Sequence, residues 1–251
     1  MLSLRAFFRK RAVSVGGFSG KTLLFYGILT ILAVTVIMMI AAVGSRTKFA
    51  ASPAHIRTDV ILDAGHGGLD GGAISAGGVC EAPITLSICK RTQALFGLLG
   101  VNALMTRETE ESLDFDPSAS IRANKNADLK ARLALAERYP QTPFLSVHLN
   151  QYPKPQYHGA QVFYSENTTM GKPMAEALQA SLRQVLDPAN ERVCKPAPEG
   201  VFLMKNLRAP AVTIECGFLS NPEECVLLQQ EDYQTKLALA IAGGYFTYCR
   251  G

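Results

Sequence analysis

The chain has 251 residues, of which 48% are hydrophobic and 18% charged, so it is long enough for one large domain or two small ones. Its formal net charge is +4, but residues 1–45 hold five basic residues and no acidic one, and the remainder holds 20 basic and 21 acidic residues. The main part of the chain therefore has no excess of positive charge for binding phosphate backbones, and no nucleic-acid partner is expected.

The N-terminal part has the pattern of a membrane anchor. Residues 23–43 include no charged side chain, and a helix of that length, at about 1.5 Å per residue, spans a hydrocarbon core of about 30 Å. We predict a basic cytoplasmic segment at 1–21 and a transmembrane helix at 22–43, which puts the following residues outside the cytoplasm by the positive-inside rule. The alternative is a signal peptide cleaved near Ala42–Ser45, although its apolar region usually has only about 7–15 residues.

A small, polar, proline-containing linker at 44–58 leads into a domain predicted at 59–251. Strand and helix patterns alternate there, which indicates an α/β fold. We expect a single three-layer domain in which a central, mostly parallel sheet is flanked by helices. Strands are predicted at 60–62, 101–105, 144–149, 160–164 and 211–215. Helices are predicted at 83–99, 127–139, around 174–185, 222–230 and 232–248, and 108–126 has a polar, irregular pattern.

Two histidines stand beside ends of these predicted elements. His66 follows the first strand inside a glycine-rich stretch, where glycines permit turns that other residues cannot make. A glycine-rich turn with an incidental histidine is the alternative, and no GxxxxGK[ST] or GxGxxG pattern suggests phosphate binding. His148 lies near the end of an apolar strand, where a single histidine is more commonly part of the core than a ligand.

Two glutamates occupy similar positions. Glu81 precedes the helix predicted from Pro83, where an acid also suits the helix dipole. Glu215 ends a strand that should be buried, and a buried acid needs a partner or a function that depends on its pKa. Two imidazoles and one carboxylate form a catalytic zinc set, because three protein ligands leave a fourth position open for water. A further carboxylate can act as the general base.

Six cysteines would ordinarily suggest disulfides in an exported domain. No CxxC spacing is present, and the domain is too large to need covalent cross-links. We interpret the cysteines as small buried hydrophobic residues, and the sequence leaves their pairing open.

Taken together, these segments resemble the zinc-dependent N-acetylmuramoyl-L-alanine amidases of the amidase type 3 family. The resemblance covers residues 59–249 in the family's order. Besides Glu81 and its helix, its main stretches are VILDAGHGGLDGGA (60–73), Thr-Arg (106–107), FLSVHLN (144–150), GAQVFY (159–164), PAVTIECGFLSNPEE (210–224) and YQTKLALAIAGGYFTY (233–248).

The resemblance implies one Zn²⁺ ion held by His66, Glu81 and His148, with Glu215 as the catalytic carboxylate. The implied reaction is hydrolysis of the amide that joins N-acetylmuramic acid to L-alanine in peptidoglycan. Asn150 and Arg107 lie beside these residues and are expected to hold substrate or to orient a ligand.

Within the family, a short single domain on an N-terminal anchor most resembles the germination-specific spore-cortex amidases. These remove peptides from cortex muramic acid so that a muramic lactam can form. No long insert that could fold as a blocking helix lies between Arg107 and His148, so control would need another device, such as an activating or regulatory protein partner. The expected location is the extracytoplasmic side of a membrane in the cell envelope, with the forespore intermembrane space as one candidate.

Two other functions remain open from the sequence. A catalytically silent, peptidoglycan-binding scaffold would keep the fold, although such relatives usually lose a ligand or the base. A zinc carboxypeptidase or aminopeptidase could share the α/β layout and the same ligand chemistry.

Overall fold

The computed structural model describes residues 57–251 together with several helical positions between Tyr26 and Thr35. Most of the predicted cytoplasmic segment, transmembrane helix and linker lies outside the described residues. In the part of the chain that is described, no helix is both long and apolar enough to cross a membrane. The chain divides into two compact units, Met1–Ala54 and His55–Gly251, and the second contains the predicted catalytic domain.

A six-stranded sheet forms the centre of this second unit. The strands are β1 (Val60–Ala64), β2 (Ala103–Met105), β3 (Phe144–Asn150), β4 (Gln161–Tyr164), β5 (Lys195–Pro196) and β6 (Ala211–Phe218). Their order is β2-β1-β3-β6-β4-β5. The first four strands in this order are parallel, whereas β4 is antiparallel to β6 and parallel to β5. The carboxyl ends of β1, β3 and β6 therefore meet at one edge, where α/β sheets place their sites.

Helices cover both faces of the sheet. They are α1 (Glu81–Leu98), α2 (Ile121–Glu137), α3 (Gly171–Leu186), α4 (Phe202–Asn206), α5 (Pro222–Leu228) and α6 (Glu231–Arg250). Buried residues of α1, α3 and α6 join the larger core cluster, and those of α2 and α4 join the smaller one. The predicted single α/β domain with a mostly parallel sheet between helices is thereby confirmed.

The alternation of side chains along each strand separates these two cores. All five residues of β1 are buried, yet Ile61 belongs to the smaller cluster and its neighbour Leu62 to the larger. Successive residues of a strand point to opposite faces, so a strand covered on both sides must be apolar throughout. This is why the central strands appear in the sequence as continuous apolar runs.

The predicted boundary of α2 was wrong. The stretch 108–126 is not irregular throughout, because α2 begins at Ile121, where the hydroxyl of Ser120 accepts a hydrogen bond from the backbone N–H of Ala123 at 3.3 Å. The first turn exposes the apolar Ile121 and Ala123 and buries the polar Asn124, so it shows no apolar periodicity toward the core. The short elements β5 and α4 were not predicted, since two and five residues are too few to show a period.

The cysteines are all free. Cys89, Cys216 and Cys225 are buried, as the interpretation of small hydrophobic residues requires, whereas Cys80 and Cys194 are partly exposed and Cys249 is exposed.

Candidate metal centre

Three of the predicted site residues converge at the carboxyl edge of the sheet. His66 follows β1, Glu81 is the first residue of α1, and His148 lies on β3. Their ligand atoms all lie within 4.8 Å of one another, in a group that could hold a metal ion. Oε2 of Glu81 is 3.2 Å from Nε2 of His66, and Oε1 is 2.9 Å from Nδ1 of His148. The two imidazole rings are 5.0 Å apart and nearly perpendicular.

Backbone geometry available mainly to glycine allows this approach. His66 itself has a φ of 60°, a left-handed conformation unusual for a residue with a side chain. A Cβ at Gly65 would collide with the imidazole of His148, and one at Gly72 would lie 2.5 Å from Oε2 of Glu81. The glycines of the sequence motif therefore leave room for the ligands.

Asp70 orients His66 and was not singled out from the sequence. Its Oδ2 is 2.8 Å from Nδ1 of His66, which leaves Nε2 directed at Glu81. Burial disfavours the charged imidazole, but the hydrogen bonds to Asp70 and Glu81 outweigh it and raise the pKa of His66 to about 9. The carboxylates of Asp70 and Glu81 therefore favour a positive charge at His66. A carboxylate on the second nitrogen of a histidine is the usual outer partner of a metal ligand, and the spacing of four residues was the available signal.

Glu81 is held as an anion. Burial alone would raise its pKa, but hydrogen bonds with His148 and His66 lower the pKa well below its usual range. Oε1 also accepts the backbone N–H of Leu149 at 2.9 Å, and Oε2 accepts that of Ala73 at 2.8 Å. Because the side chain is only 2% exposed, its orientation is set by these contacts.

Glu215 lies on β6 directly opposite His148 on β3. The residue is partly exposed, but its Oε2 atom is buried and has no hydrogen-bond partner among the described residues. Burial raises the pKa of Glu215 to about 7, and the nearby Glu81 adds to the effect while both imidazoles oppose it. An acid with a buried, unengaged oxygen and such a pKa is suited to taking up and releasing a proton.

Arg107 lies underneath the site. It is 5% exposed, and its Nε donates to the carbonyl of Ala64 at 3.0 Å. Its Nη2 donates to the carbonyls of Gly65 and Ala82 at 2.9 and 2.8 Å. These bonds join the loop that carries His66 to the first turn of α1.

Asn150 ends β3, two residues beyond His148, and is partly exposed. Its Cα pairs with that of Phe218 on β6. No hydrogen bond of its side-chain amide is present within residues 57–251, so the amide is available at the edge of the site.

A buried ionic network behind the metal group was also missed. Asp63 on β1 accepts hydrogen bonds from Arg132 at 2.6 Å, Thr106 at 2.7 Å and Ser146 at 2.6 Å. Arg132 also bonds to Asp128 and to the carbonyl of His66. Only the three-dimensional arrangement shows that these positions, far apart in sequence, support the loop that carries His66.

Comparisons with known proteins identify the family of the chain. Residues 60–245 match the family model described as N-acetylmuramoyl-L-alanine amidase. The germination-specific N-acetylmuramoyl-L-alanine amidase of Bacillus subtilis (strain 168) is 34% identical over 189 residues, which are 75% of this chain and 78% of that protein.

Two solved structures are similar as well. The CwlD amidase of Clostridioides difficile, in complex with the GerS lipoprotein, is 37% identical with a TM-score of 0.74, over 77% of this chain and 99% of that one. The amidase AmiC2 of Nostoc punctiforme is 28% identical with a TM-score of 0.65, over 76% and 97%. The chain therefore belongs to the amidase type 3 family and is an N-acetylmuramoyl-L-alanine amidase of peptidoglycan.

Proposed function

We propose that this amidase depends on one zinc ion held by His66, Glu81 and His148, and that Glu215 moves the protons of the reaction. The observation that carries the proposal is the convergence of the three ligand atoms within 4.8 Å of one another, with Glu215 beside them on the next strand. Nitrogen and carboxylate ligands in a set of three suit catalytic zinc, which keeps a fourth position open.

The ion, when bound, supplies Lewis acidity that activates water and polarises the amide carbonyl. Glu215 accepts the proton of the attacking water and delivers it to the nitrogen of L-alanine as the amide bond breaks. Asp70 keeps the proton of His66 on Nδ1, so that Nε2 remains a free ligand atom. Arg107 keeps the His66 loop and the first turn of α1 in place, and the Asn150 amide binds substrate.

The first experiment replaces Glu215 by Gln in the full-length chain. Mass spectrometry of digested peptidoglycan should show peptides beginning with free L-alanine for the wild type, and turnover about 10²–10⁴-fold lower for the variant, as expected for loss of a general base. Zinc content, measured on the same samples, should be unchanged because Glu215 is not a ligand. An exposed glutamate, Glu223, provides the control Glu223→Gln, which should keep full activity. Unchanged turnover in Glu215→Gln would refute the assigned role.

We further propose that the substrate is spore cortex, whose stripped muramic acid then forms the lactam needed for germination. The support is the germination-specific function in the name of the Bacillus subtilis relative. Cortex from sporulating cells should lack muramic lactam when the gene for this chain is deleted, and complementation with that gene should restore the lactam. Normal lactam content in the deletion strain would contradict this role.

A protein partner is part of the same proposal. The support is the CwlD amidase, whose structure was solved in complex with the GerS lipoprotein. We propose that this chain likewise acts with a regulatory lipoprotein at an extracytoplasmic membrane surface. Recovery of a lipoprotein with this chain after cross-linking in sporulating cells would support the proposal.

A further inference from the structure

A cationic group lies one strand away from Glu215, on the side opposite His148. β4 begins at Gln161, whose Cα pairs with that of Glu215, so His148, Glu215 and Gln161 form one row across three neighbouring strands. Side chains in such a row project from the same face, and neighbouring strands are about 4.8 Å apart. Gln161 is therefore part of the same edge as the candidate metal centre.

The guanidinium of Arg192 is hydrogen-bonded to Gln161, the last residue of this row. Its Nη1 donates to Oε1 of Gln161 at 3.0 Å, and its Nε donates to the carbonyl of His158 at 2.7 Å. The guanidinium carbon lies 4.7 Å from the centre of the Phe218 ring, at the end of β6. Two hydrogen bonds and a ring contact hold the charge in one place without neutralising it.

Arg192 forms no ion pair with an acid, although Glu224 lies near enough to feel its charge. Within residues 57–251 no carboxylate lies within the 4.0 Å ion-pair distance of its guanidinium. Glu224 instead accepts the backbone N–H groups of Phe218 and Gly159 at 2.7 and 2.9 Å. Arg192 also lines an open cleft with Tyr157, Asn190 and the acid Glu191, so its outer edge faces a space that a ligand can enter.

We propose that Arg192 binds a free carboxylate of the peptide stem, at the residue that follows L-alanine. This inference rests on the proposed function, which places the scissile amide between the metal ligands and Glu215. An extended peptide advances about 3.3–3.6 Å per residue, so the second stem residue lies one to two such steps from that amide. Arg192 is bound to Gln161, one strand away from Glu215, and so lies on the side toward which the stem can extend. A fixed guanidinium matches a carboxylate through two parallel hydrogen bonds.

The test uses two synthetic muramyl peptides that differ at the second stem residue. One carries isoglutamate, with a free α-carboxylate, and the other carries isoglutamine, with a neutral amide. The full-length, zinc-loaded chain should cleave the carboxylate substrate with a kcat/KM about tenfold to a hundredfold higher, the usual range for a hydrogen-bonded charge pair. Arg192→Gln should abolish that preference through KM while leaving cleavage of the amide substrate within about twofold.

Arg183→Gln is the matched control. Nη2 of Arg183 donates to the backbone carbonyl of Arg192 at 2.7 Å, so the variant loosens the same segment but keeps the guanidinium of Arg192. It should retain the preference for the carboxylate substrate.

Three results would overturn the inference alone. The wild type could cleave both substrates equally, or Arg192→Gln could lose activity on both to the same extent. Arg183→Gln could also lose the preference as completely as Arg192→Gln does. A wild type that cleaves neither substrate would overturn the proposed function and the inference with it.

Discussion

Gly65 and Gly72 lie against the candidate ligands with no space for a side chain. A Cβ at Gly65 would overlap the ring of His148, and one at Gly72 would lie 2.6 Å from Cδ2 of His66. The neighbouring Gly77 differs, because a Cβ there would meet only Oγ of Ser75 at 3.8 Å. His66, Glu81 and His148 can therefore occupy their positions only because Gly65 and Gly72 have no Cβ.

Gly65→Ala should therefore weaken zinc binding without unfolding the domain. The added methyl group displaces the His148 imidazole, and misplacing a ligand through its surroundings costs about tenfold to a hundredfold in metal affinity. Competition with a chromophoric chelator measures the dissociation constant, and circular dichroism checks the fold. Gly77→Ala should bind zinc as the wild type does. Equal affinity in Gly65→Ala and wild type would show that His148 is not a ligand in this position.

The raised pKa of Glu215 predicts how the free energy of unfolding of the chelator-treated protein depends on pH. Because burial raises its pKa from 4.5 to about 7, the folded state retains a proton that the unfolded state has released. The wild type thus loses free energy of unfolding as the pH rises from about 4.5 to about 7. Gln does not titrate, so the stability of Glu215→Gln relative to wild type should increase over this window by about 1–3 kcal/mol and then level off. Urea unfolding at several pH values measures it, and a pH-independent difference would disprove the assigned burial effect.

Helix α2 supports the metal site from behind. Arg132 on this helix bonds to Asp63 on β1 and to the carbonyl of His66, so one side chain joins helix, strand and metal loop. Burial would raise the pKa of Asp63, but the Arg132 charge and the Ser146 and Thr106 hydroxyls hold it below its ordinary value. The sequence places Arg132 on its helix and Asp63 just after the predicted strand, which in the structure extends to Ala64, but it does not show that the two residues meet.

Asp63→Asn should destabilise the domain by about 3–5 kcal/mol, because Arg132 then keeps its buried charge with one carboxylate fewer. Thr106→Val is the isosteric control. It removes a single hydroxyl donor to the same carboxylate and should cost about 1.5–3 kcal/mol. Chemical denaturation gives both free energies of unfolding. If the two variants lost equal stability, the contribution of the Asp63–Arg132 charge pair would be smaller than we infer.

At the scale of the whole molecule, we propose the division into a cytoplasmic segment at 1–21, a transmembrane anchor at 22–43, a linker at 44–58 and the catalytic domain at 59–251. The support is the charge-free run at 23–43 that follows five basic residues. A helix of that length matches the hydrocarbon thickness, and the basic residues favour a cytoplasmic N-terminus.

Deleting residues 1–43 should release the amidase from membranes. The full-length chain should sediment with membranes after carbonate washing, and the shortened chain should remain in the supernatant. The mass of the mature chain distinguishes the alternatives, because a cleaved signal peptide would remove about the first 42–45 residues. A full-length chain that carbonate extracts would contradict the proposed anchor.

The sequence by itself determined the elements that have a strong local pattern. The apolar runs of β1, β3 and β6 and the periodicity of α1 and α3 follow from local side-chain patterns, so their existence could be predicted. The roles expected of His66, Glu81, His148 and Glu215 came from the four residues taken together and from the family resemblance, because Glu81 and His148 each had an ordinary structural explanation. The start of α2 was missed since its first turn exposes the apolar Ile121 and buries the polar Asn124.

Only the tertiary structure decided which of these residues meet, and by which atoms. Sheet order places β6 between β3 and β4, which brings Glu215 between His148 and Gln161. It also brings Arg132 to Asp63 and Arg192 to Gln161. Such contacts depend on strand register and on packing between segments far apart in the chain, where a shift of one residue reverses the face of every side chain. No local pattern contains that information, because the energies that determine it arise only when the sheet and its two helical layers assemble.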